Sequence, residues 1–287
     1  MQSFRTSSIF KFTSDFELLK RIIRDGIIPN YCEEDLSFGT PQTEFCLGIP
    51  MSSFCDIPMT LLDEHNKRYG NYGIALSKDW GIENGIQPVM YIANESVLKS
   101  VYYHYYNEKK VRDWYQRKDV QQSLNQDTIV KGFPLEDFAK IKSAEIGHAY
   151  NTHIIGYLKK YKSPYKGDII NNYEENEWRY IVPEQDETKW FWTRQEYMAW
   201  RNPLGKDISK VKKPSPSKAI KAYTLKFTEN DVKYILVKDE EFKGRIIEFI
   251  NKLTTIGGNP ITMGKSTYSV NSLLTKIVTL EQVQKDF

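Results

Sequence analysis

The chain begins with a change from strand spacing to helix spacing. Residues 8–13 form a short run of β-branched and aromatic side chains, which predicts a strand. The apolar positions that follow recur three or four residues apart, which predicts a helix that begins after Ser14 or Asp15 and ends near Gly26. Those positions are Phe16, Leu18, Leu19, Ile22 and Ile23.

Strand and helix patterns continue along the chain, but they do not alternate regularly. Because regular strand–helix–strand units are absent, we expect an α+β fold and not a doubly wound parallel sheet. The predicted strands lie at 54–59, 72–77, 88–92, 178–182, 223–227 and 232–237, the helices at 61–69 and 240–253, and irregular chain at 31–50.

Two stretches stand apart from this pattern. Residues 96–162 have helical spacing and many Tyr, Lys and Arg, which predicts a helical insertion in a sheet-based fold. Residues 205–221 carry six lysines, two prolines and three serines, which predicts an exposed, mobile loop. We expect residues 1–287 to form a single α+β domain around these two features.

Composition narrows the class of protein. The net charge of +3, from 40 basic and 37 acidic residues, is too balanced for a dedicated nucleic-acid-binding protein. No apolar run reaches 18 residues and no signal peptide opens the chain, so we expect a cytoplasmic protein without a membrane span. Three cysteines without Cys-x-x-Cys spacing (Cys32, Cys46 and Cys55) indicate free thiols and neither a disulfide framework nor a metal site.

Four short motifs follow one another in a fixed order. They are Phe-Thr at 12–13, Phe-Cys-Asp-Ile-Pro at 54–58, Tyr-Gly-Asn-Tyr-Gly-Ile at 69–74 and Glu-Trp-Arg at 177–179. In this order they resemble the AbiGi family of bacterial abortive-infection (phage-resistance) proteins over most of 9–182, and more loosely over 232–253. The resemblance implies a component of a phage-defence system and, because the family is described as antitoxin-like, a toxin partner.

The opening strand–helix unit is also similar to that of the DarT-like ADP-ribosyltransferases, which carry His where this chain has Lys11. This resemblance implies a split mixed sheet of the ADP-ribosyltransferase type and the use of NAD with a macromolecular target. By the same comparison Glu177 would be catalytic and Glu175 its helper. Four further residues would lie near NAD: Lys11, Thr13, Tyr69 and Tyr72.

The chemistry of this transfer suits these residue types. A fixed carboxylate at Glu177 would stabilise the positive charge that develops when the nicotinamide–ribose bond breaks. Glu175, two residues away on a strand, would share its face and accept a proton from the nucleophile. Tyr69 or Tyr72 could stack on a flat heterocycle, and Lys11 could meet a pyrophosphate as a point charge. We therefore predict a cleft between the first strand and 178–182, faced by Lys11 and Glu177.

A second interpretation remains open. Glu-x-Glu before a strand is common on solvated surfaces, Trp178 fits a core position, and Arg179 fits a pair with a nearby carboxylate. The protein would then be a non-catalytic, antitoxin-like binding protein that restrains a toxin through the insertion or through residues 205–221. A nucleic-acid-binding module is the weakest alternative, because no base-reading motif is present.

Overall fold

The computed structural model describes residues 6–37, 46–98, 154–165, 167–208, 211–262 and 266–286. The fold is α+β with a mixed sheet, as the sequence predicts. The strands are β1 Ser8–Thr13, β2 Asn30–Asp35, β3 Cys46–Cys55, β4 Tyr72–Ser77, β5 Gln87–Pro88, β6 Met90–Ile92, β7 Leu158–Lys160, β8 Lys162–Tyr165, β9 Asp168–Asn171, β10 Glu177–Ile181, β11 Val232–Val237, β12 Thr255–Ile256, β13 Asn259–Pro260 and β14 Ile277–Thr279.

The described helices pack around this sheet. They are α1 Phe16–Asp25, α2 Leu62–Tyr69, α3 Lys78–Glu83, α4 Arg194–Arg201, α5 Lys218–Lys221, α6 Glu240–Ile250, α7 Ser266–Leu274 and α8 Leu280–Asp286. Within the described ranges, none of the helices combines the length and the apolar character needed to cross a membrane.

Eight strands make up the main sheet. Their order is β14-β11-β4-β1-β3-β10-β5, and β2 pairs with β3 beside this path. The pair β11–β14 is parallel and the other neighbours are antiparallel. Three two-stranded sheets, β6–β7, β8–β9 and β12–β13, accompany it.

The opening unit matches its prediction. Asp15 caps α1 by accepting a hydrogen bond from the Glu17 N–H, and the apolar face of α1 packs into the main core. Gly26 ends the helix with φ 91°, and its N–H donates to Ile22 O. A side chain there would also meet Leu225 O at 2.7 Å, so glycine is required for conformation and for space.

The sheet splits between β1 and β3. Phe10 and Cys55 are the paired positions of these two strands, and beyond them β1 leaves β3. Further along β3, strand β2 takes the place of β1 on the same side, and its pairing with β3 begins at Asn30–Met51. Strand β10 pairs with the other side of β3. A gap therefore opens beside Ser53 of β3.

Several predicted elements differ from the structure. The expectation of irregular chain over 31–50 is wrong at 31–35 and 46–50, where β2 and the first half of β3 lie, and residues 38–45 lie outside the described residues. The run Glu33, Glu34 and Asp35 hides β2 from a hydrophobic pattern. The predicted strand at 54–59 is the end of β3, and the one at 88–92 divides into β5 and β6. Residues 223–227 contribute one isolated bridge, Ile27–Leu225.

The two unusual stretches are only partly described. Residues 99–153 of the predicted helical insertion lie outside the described residues. At its described end, residues 154–155 are helical, but Leu158–Lys160 form β7. The 205–221 stretch is largely exposed up to Ser217, but its last four residues form α5, which buries Ile220 completely. The prediction of a loop over the whole stretch is therefore wrong at its end.

Candidate functional site

A cavity of about 240 Å³ lies where β1 and β3 separate. Strands β1, β2, β3, β7 and β10 contribute side chains to it, together with α2 and the turn before β10. The polar and ionisable groups in the lining are Lys11, Cys32, Glu34, Ser53, Cys55, His65, Tyr69, Lys159, Glu175 and Glu177.

Lys11 enters this cavity through the split in the sheet. Side chains alternate along β1, so Lys11 lies on the face of the sheet opposite Phe10. Phe10 pairs with Cys55, and Cys55 pairs with Glu177, so Glu177 lies on the same face as Phe10. Because the strands have separated at this point, Lys11 Nζ reaches into the gap and donates to Ser53 O at 3.0 Å. Lys11 and Glu177 consequently line the same cavity. Burial lowers the pKa of the Lys11 ammonium below its usual value.

Glu177 is a buried carboxylate held by two cations. Arg179 Nε donates to Oε1 at 2.7 Å and its Nη2 donates to Oε2 at 3.1 Å, while Lys159 Nζ lies 2.6 Å from Oε2. Burial raises the pKa of Glu177, but the charges of Arg179 and Lys159 outweigh burial and hold the pKa far below its usual value. Glu177 is therefore ionised at neutral pH.

A turn brings Glu175 beside Glu177. Glu175 ends a short 3-10 helix, Asn172–Glu175, and Asn176 adopts a left-handed conformation with φ 41° before β10 begins. The expectation that strand alternation would align the two carboxylates is wrong; the turn does so. Lys159 Nζ lies 2.7 Å from Glu175 Oε2, and the Tyr69 hydroxyl donates to Oε1 at 2.5 Å.

Arg179 connects this pair to a third carboxylate. Its side chain is fully buried, its Nη2 lies 2.9 Å from Glu34 Oε1, and its Nη1 donates to Gly156 O at 2.7 Å. The interpretation that Arg179 pairs with a nearby carboxylate is thus confirmed. Burial raises the pKa of Glu34, and Arg179 offsets part of that effect.

Sequence reasoning missed Glu34 and Lys159. Glu34 lay in a stretch read as irregular, and Lys159 lay in a stretch read as helical. One signal for them was present in the sequence. Glu175 and Glu177 come just before and at the start of an apolar strand, and buried charges require cations nearby. Burial lowers the pKa of Lys159, but Glu177, Glu34 and Glu175 outweigh it and hold the ammonium charged.

One wall of the cavity is aromatic and uncharged. His65 stacks on Tyr69 with ring centroids 4.4 Å apart, and its Nε2 lies 3.3 Å from Cys55 Sγ. Burial lowers the pKa of His65 to about 4 and raises the pKa of the Cys55 thiol well above its usual value. Both groups are therefore neutral at pH 7, and Cys55 lacks the thiolate character of a nucleophile.

Two of the predicted site residues lie away from the cavity. Tyr72 packs in the main core, with its ring 5.3 Å from Phe16 and 5.1 Å from Phe242. Thr13 accepts a hydrogen bond from the Asp15 N–H at the start of α1. The other four, Lys11, Tyr69, Glu175 and Glu177, share the cavity lining. In the described part of the chain, no cluster of three or more His, Cys, Asp or Glu is arranged to hold a metal ion.

These features define an α+β protein with a split, mixed sheet and a cavity at the split that is lined by charged side chains of both signs. The family model for AbiGi, described as an abortive phage resistance protein and antitoxin, matches residues 25–238, so the chain belongs to the AbiGi family. It is similar to the abortive phage resistance protein AbiGi of Lactococcus lactis subsp. cremoris, with 26% identity over 288 residues, 91% of this chain and 100% of the relative. Among solved structures there is no match.

Proposed function

We propose that this protein acts in abortive phage resistance and that its cavity is an ADP-ribosyltransferase-like site for NAD. The observation that carries the proposal is the meeting of Lys11 and Glu177 in one cavity at the split between β1 and β3. Family membership supports the biological setting. The cavity supports the chemistry, because it combines an ionised carboxylate, the amine of Lys11 and an aromatic wall.

Glu177 suits the stabilisation of positive charge. Arg179 and Lys159 fix its carboxylate in the ionised state and in one orientation, which is what electrostatic preorganisation requires. Among the described residues, its Oε1 accepts a hydrogen bond from Arg179 alone, so one acceptor position of that oxygen remains for a ribose hydroxyl. The low pKa makes Glu177 a poor base, so its role is electrostatic.

The other cavity residues would divide the remaining tasks. The nicotinamide–ribose bond of NAD would break, and its electron pair would leave with nicotinamide. A lone pair of the target would form the new bond to the ribose carbon. Glu175 would take the proton that the nucleophile of the target releases. His65 and Tyr69 offer stacked rings to a flat heterocycle, and Lys11 offers its amine to a phosphate oxygen.

Isothermal titration with NAD tests this proposal. We expect saturable binding to the wild-type chain, and binding about tenfold weaker in Lys11→Ala because a charge-assisted contact is lost. Glu177→Gln should retain the fold but lose NAD-dependent labelling of a target extract. Lys238→Ala and Glu187→Gln are the matched controls, because both residues are exposed and lie outside the cavity lining. Absence of heat at millimolar NAD would reject the transferase function.

A second candidate is favoured by the family description as an antitoxin. In this case the ion pairs of Glu175 and Glu177 would serve the fold, and the protein would act by restraining a toxin. Glu177→Gln would then leave phage resistance unchanged in an infection assay wherever the variant accumulates to the wild-type level. Loss of resistance in Glu177→Gln, at wild-type protein level, would favour the transferase instead.

A further inference from the structure

A second cavity, of about 540 Å³, adjoins the first on the opposite side of Lys11. Lys11, Phe12 and Cys32 line both cavities. The second cavity, here called the basic groove, lies between α1, the start of β2 and residues 213–216. It differs from the first in charge, because its lining holds four cations and one carboxylate. The cations are Lys11, Arg21, Lys213 and Lys221, and the carboxylate is Asp25.

The charge of the basic groove is not neutralised from within. Asp25 is occupied by a bidentate pair with Arg24 at 2.7 Å. Within the described residues, Lys213 and Lys221 form no ion pair, and Arg21 reaches only the exposed Asp15 at 3.7 Å. Arg21, Lys213 and Lys221 are exposed, and exposed cations around a concavity attract an anionic partner.

The lysine-bearing wall of the groove is fixed to the fold. Asn30 Nδ2 donates to Pro214 O at 3.1 Å, and Lys213 Nζ lies 3.7 Å from Cys32 Sγ. A few residues later Ser217 caps α5, and Ile220 of α5 is fully buried. The lysines therefore stand on an anchored segment, which lowers the entropy lost when a partner binds.

The apolar floor of the groove indicates which of two anionic partners fits it, single-stranded nucleic acid or an acidic peptide. Leu18 and Ile28 are both more than a third exposed there, although they are large and apolar. Pro214 and Pro216 add apolar surface, and Phe12 is the aromatic side chain of the lining. Single-stranded nucleic acid is held by aromatic platforms on which successive bases stack. An apolar floor with a basic rim instead suits a peptide that has apolar anchors between acidic residues.

We propose that the basic groove is a docking site for an acidic, apolar-anchored peptide segment of a partner protein. The basic rim would pair with carboxylates of the segment, and Leu18 and Ile28 would cover its apolar side chains. This site is separate from the carboxylates of the first cavity, and it does not depend on the use of NAD there.

Selection from a displayed library of random 12-residue peptides on the whole protein tests the site. We expect the selected pool to be rich in Asp, Glu and apolar residues. A variant with Arg21→Glu, Lys213→Glu and Lys221→Glu should lose this enrichment. A matched variant with Lys233→Glu, Lys238→Glu and Lys252→Glu should keep it, because these exposed lysines lie outside the groove.

Fluorescence anisotropy with a labelled synthetic peptide from the pool gives the affinity. Charge reversal in the groove should weaken binding at least about tenfold, and Leu18→Ser should weaken it while leaving the salt dependence unchanged. A pool without acidic enrichment, or equal binding to both triple variants, would overturn the proposal. Groove-dependent binding of a labelled thymidine 20-mer in place of peptide would overturn it in favour of nucleic acid. Titration of the triple groove variant with NAD separates the peptide-docking proposal from the NAD proposal, because each can fail while the other holds.

Discussion

Phe10 and Cys55 are the point at which β1 still pairs with β3, and the split in the sheet begins immediately beyond them. The Cys55 thiol lies 3.7 Å from Phe10 O, so side chain and backbone join the strands at the same place. One residue later, Lys11 has no strand partner on that side and its amine reaches Ser53 O. The candidate site therefore depends on where strand pairing stops.

The turn between α2 and β4 should tolerate no side chain at Gly70. Its φ is 104°, and a Cβ atom would lie 2.3 Å from Ser14 N. Gly70→Ala should destabilise the protein by about 3 kcal/mol or more, because strain and a backbone clash combine. Gly85 is the matched control, since its φ is 74° but no atom lies within 4 Å of a Cβ there. Gly85→Ala should cost about 1 kcal/mol by urea unfolding, and equal losses would contradict the clash.

His65 should make stability depend on pH. Its pKa falls from about 6.5 in the unfolded chain to about 4 in the folded protein, because burial disfavours the imidazolium. As the pH falls, the unfolded chain therefore binds the proton before the folded protein does. The contribution of His65 to the free energy of unfolding is full above pH 6.5 and decreases as the pH falls towards 4. Between pH 7 and pH 5 the loss assigned to His65 is about 2 kcal/mol.

Urea unfolding of wild type and His65→Gln at pH 7 and pH 5 measures this effect. The difference between the two proteins should shrink at pH 5, because the variant lacks the group that gains a proton on unfolding. A pH dependence identical in both proteins would show that other groups cause the loss.

The sequence predicted those parts of the fold that have a local signal. The cap at Asp15, the helical spacing of α1 and the apolar runs of β1, β4 and β11 each lie within a few neighbouring residues. Strand β2 escaped prediction because its Glu34 is partly buried and forms an ion pair with Arg179, 145 residues later in the chain. Such a pairing leaves no local pattern.

The candidate site was predictable only in part. Lys11 and Glu177 were predicted through the resemblance to the DarT-like ADP-ribosyltransferases, and not from a local pattern of the chain. The prediction that Tyr72 lies near the site was wrong, because a Tyr beside a Gly-containing turn gives the same sequence pattern whether its ring lies in a cavity or in the core. The two glutamates before β10 indicate that a cation lies nearby, but they do not indicate which one, because Lys159 reaches them only through the tertiary meeting of β7 with the turn before β10.

The hydroxyl of Tyr69 should stabilise the fold through Glu175. It donates to Glu175 Oε1, a carboxylate that is itself buried. Tyr69→Phe removes this charge-assisted hydrogen bond and should cost about 2 kcal/mol by urea unfolding. Tyr72→Phe, which removes a hydroxyl from a ring packed in the core, is the control and should change stability by less than about 0.5 kcal/mol. Equal losses in the two variants would show that the Glu175 contact contributes nothing.

Lys159 should contribute more to stability than its neighbour Lys160. Lys159 Nζ bridges Glu175 and Glu177, both almost fully buried, whereas Lys160 pairs with Asp35, whose side chain is 49% exposed. Lys159→Met leaves two buried carboxylates facing each other with one cation fewer, which should cost about 3–5 kcal/mol. Lys160→Met should cost about 1 kcal/mol, because water screens its exposed partner. In Lys159→Met the loss should shrink as the pH is lowered from 7 to 5, because a proton can then replace the missing charge. Urea unfolding of both variants at the two pH values measures this, and a pH-independent loss would indicate that Lys159 acts through packing of its aliphatic chain.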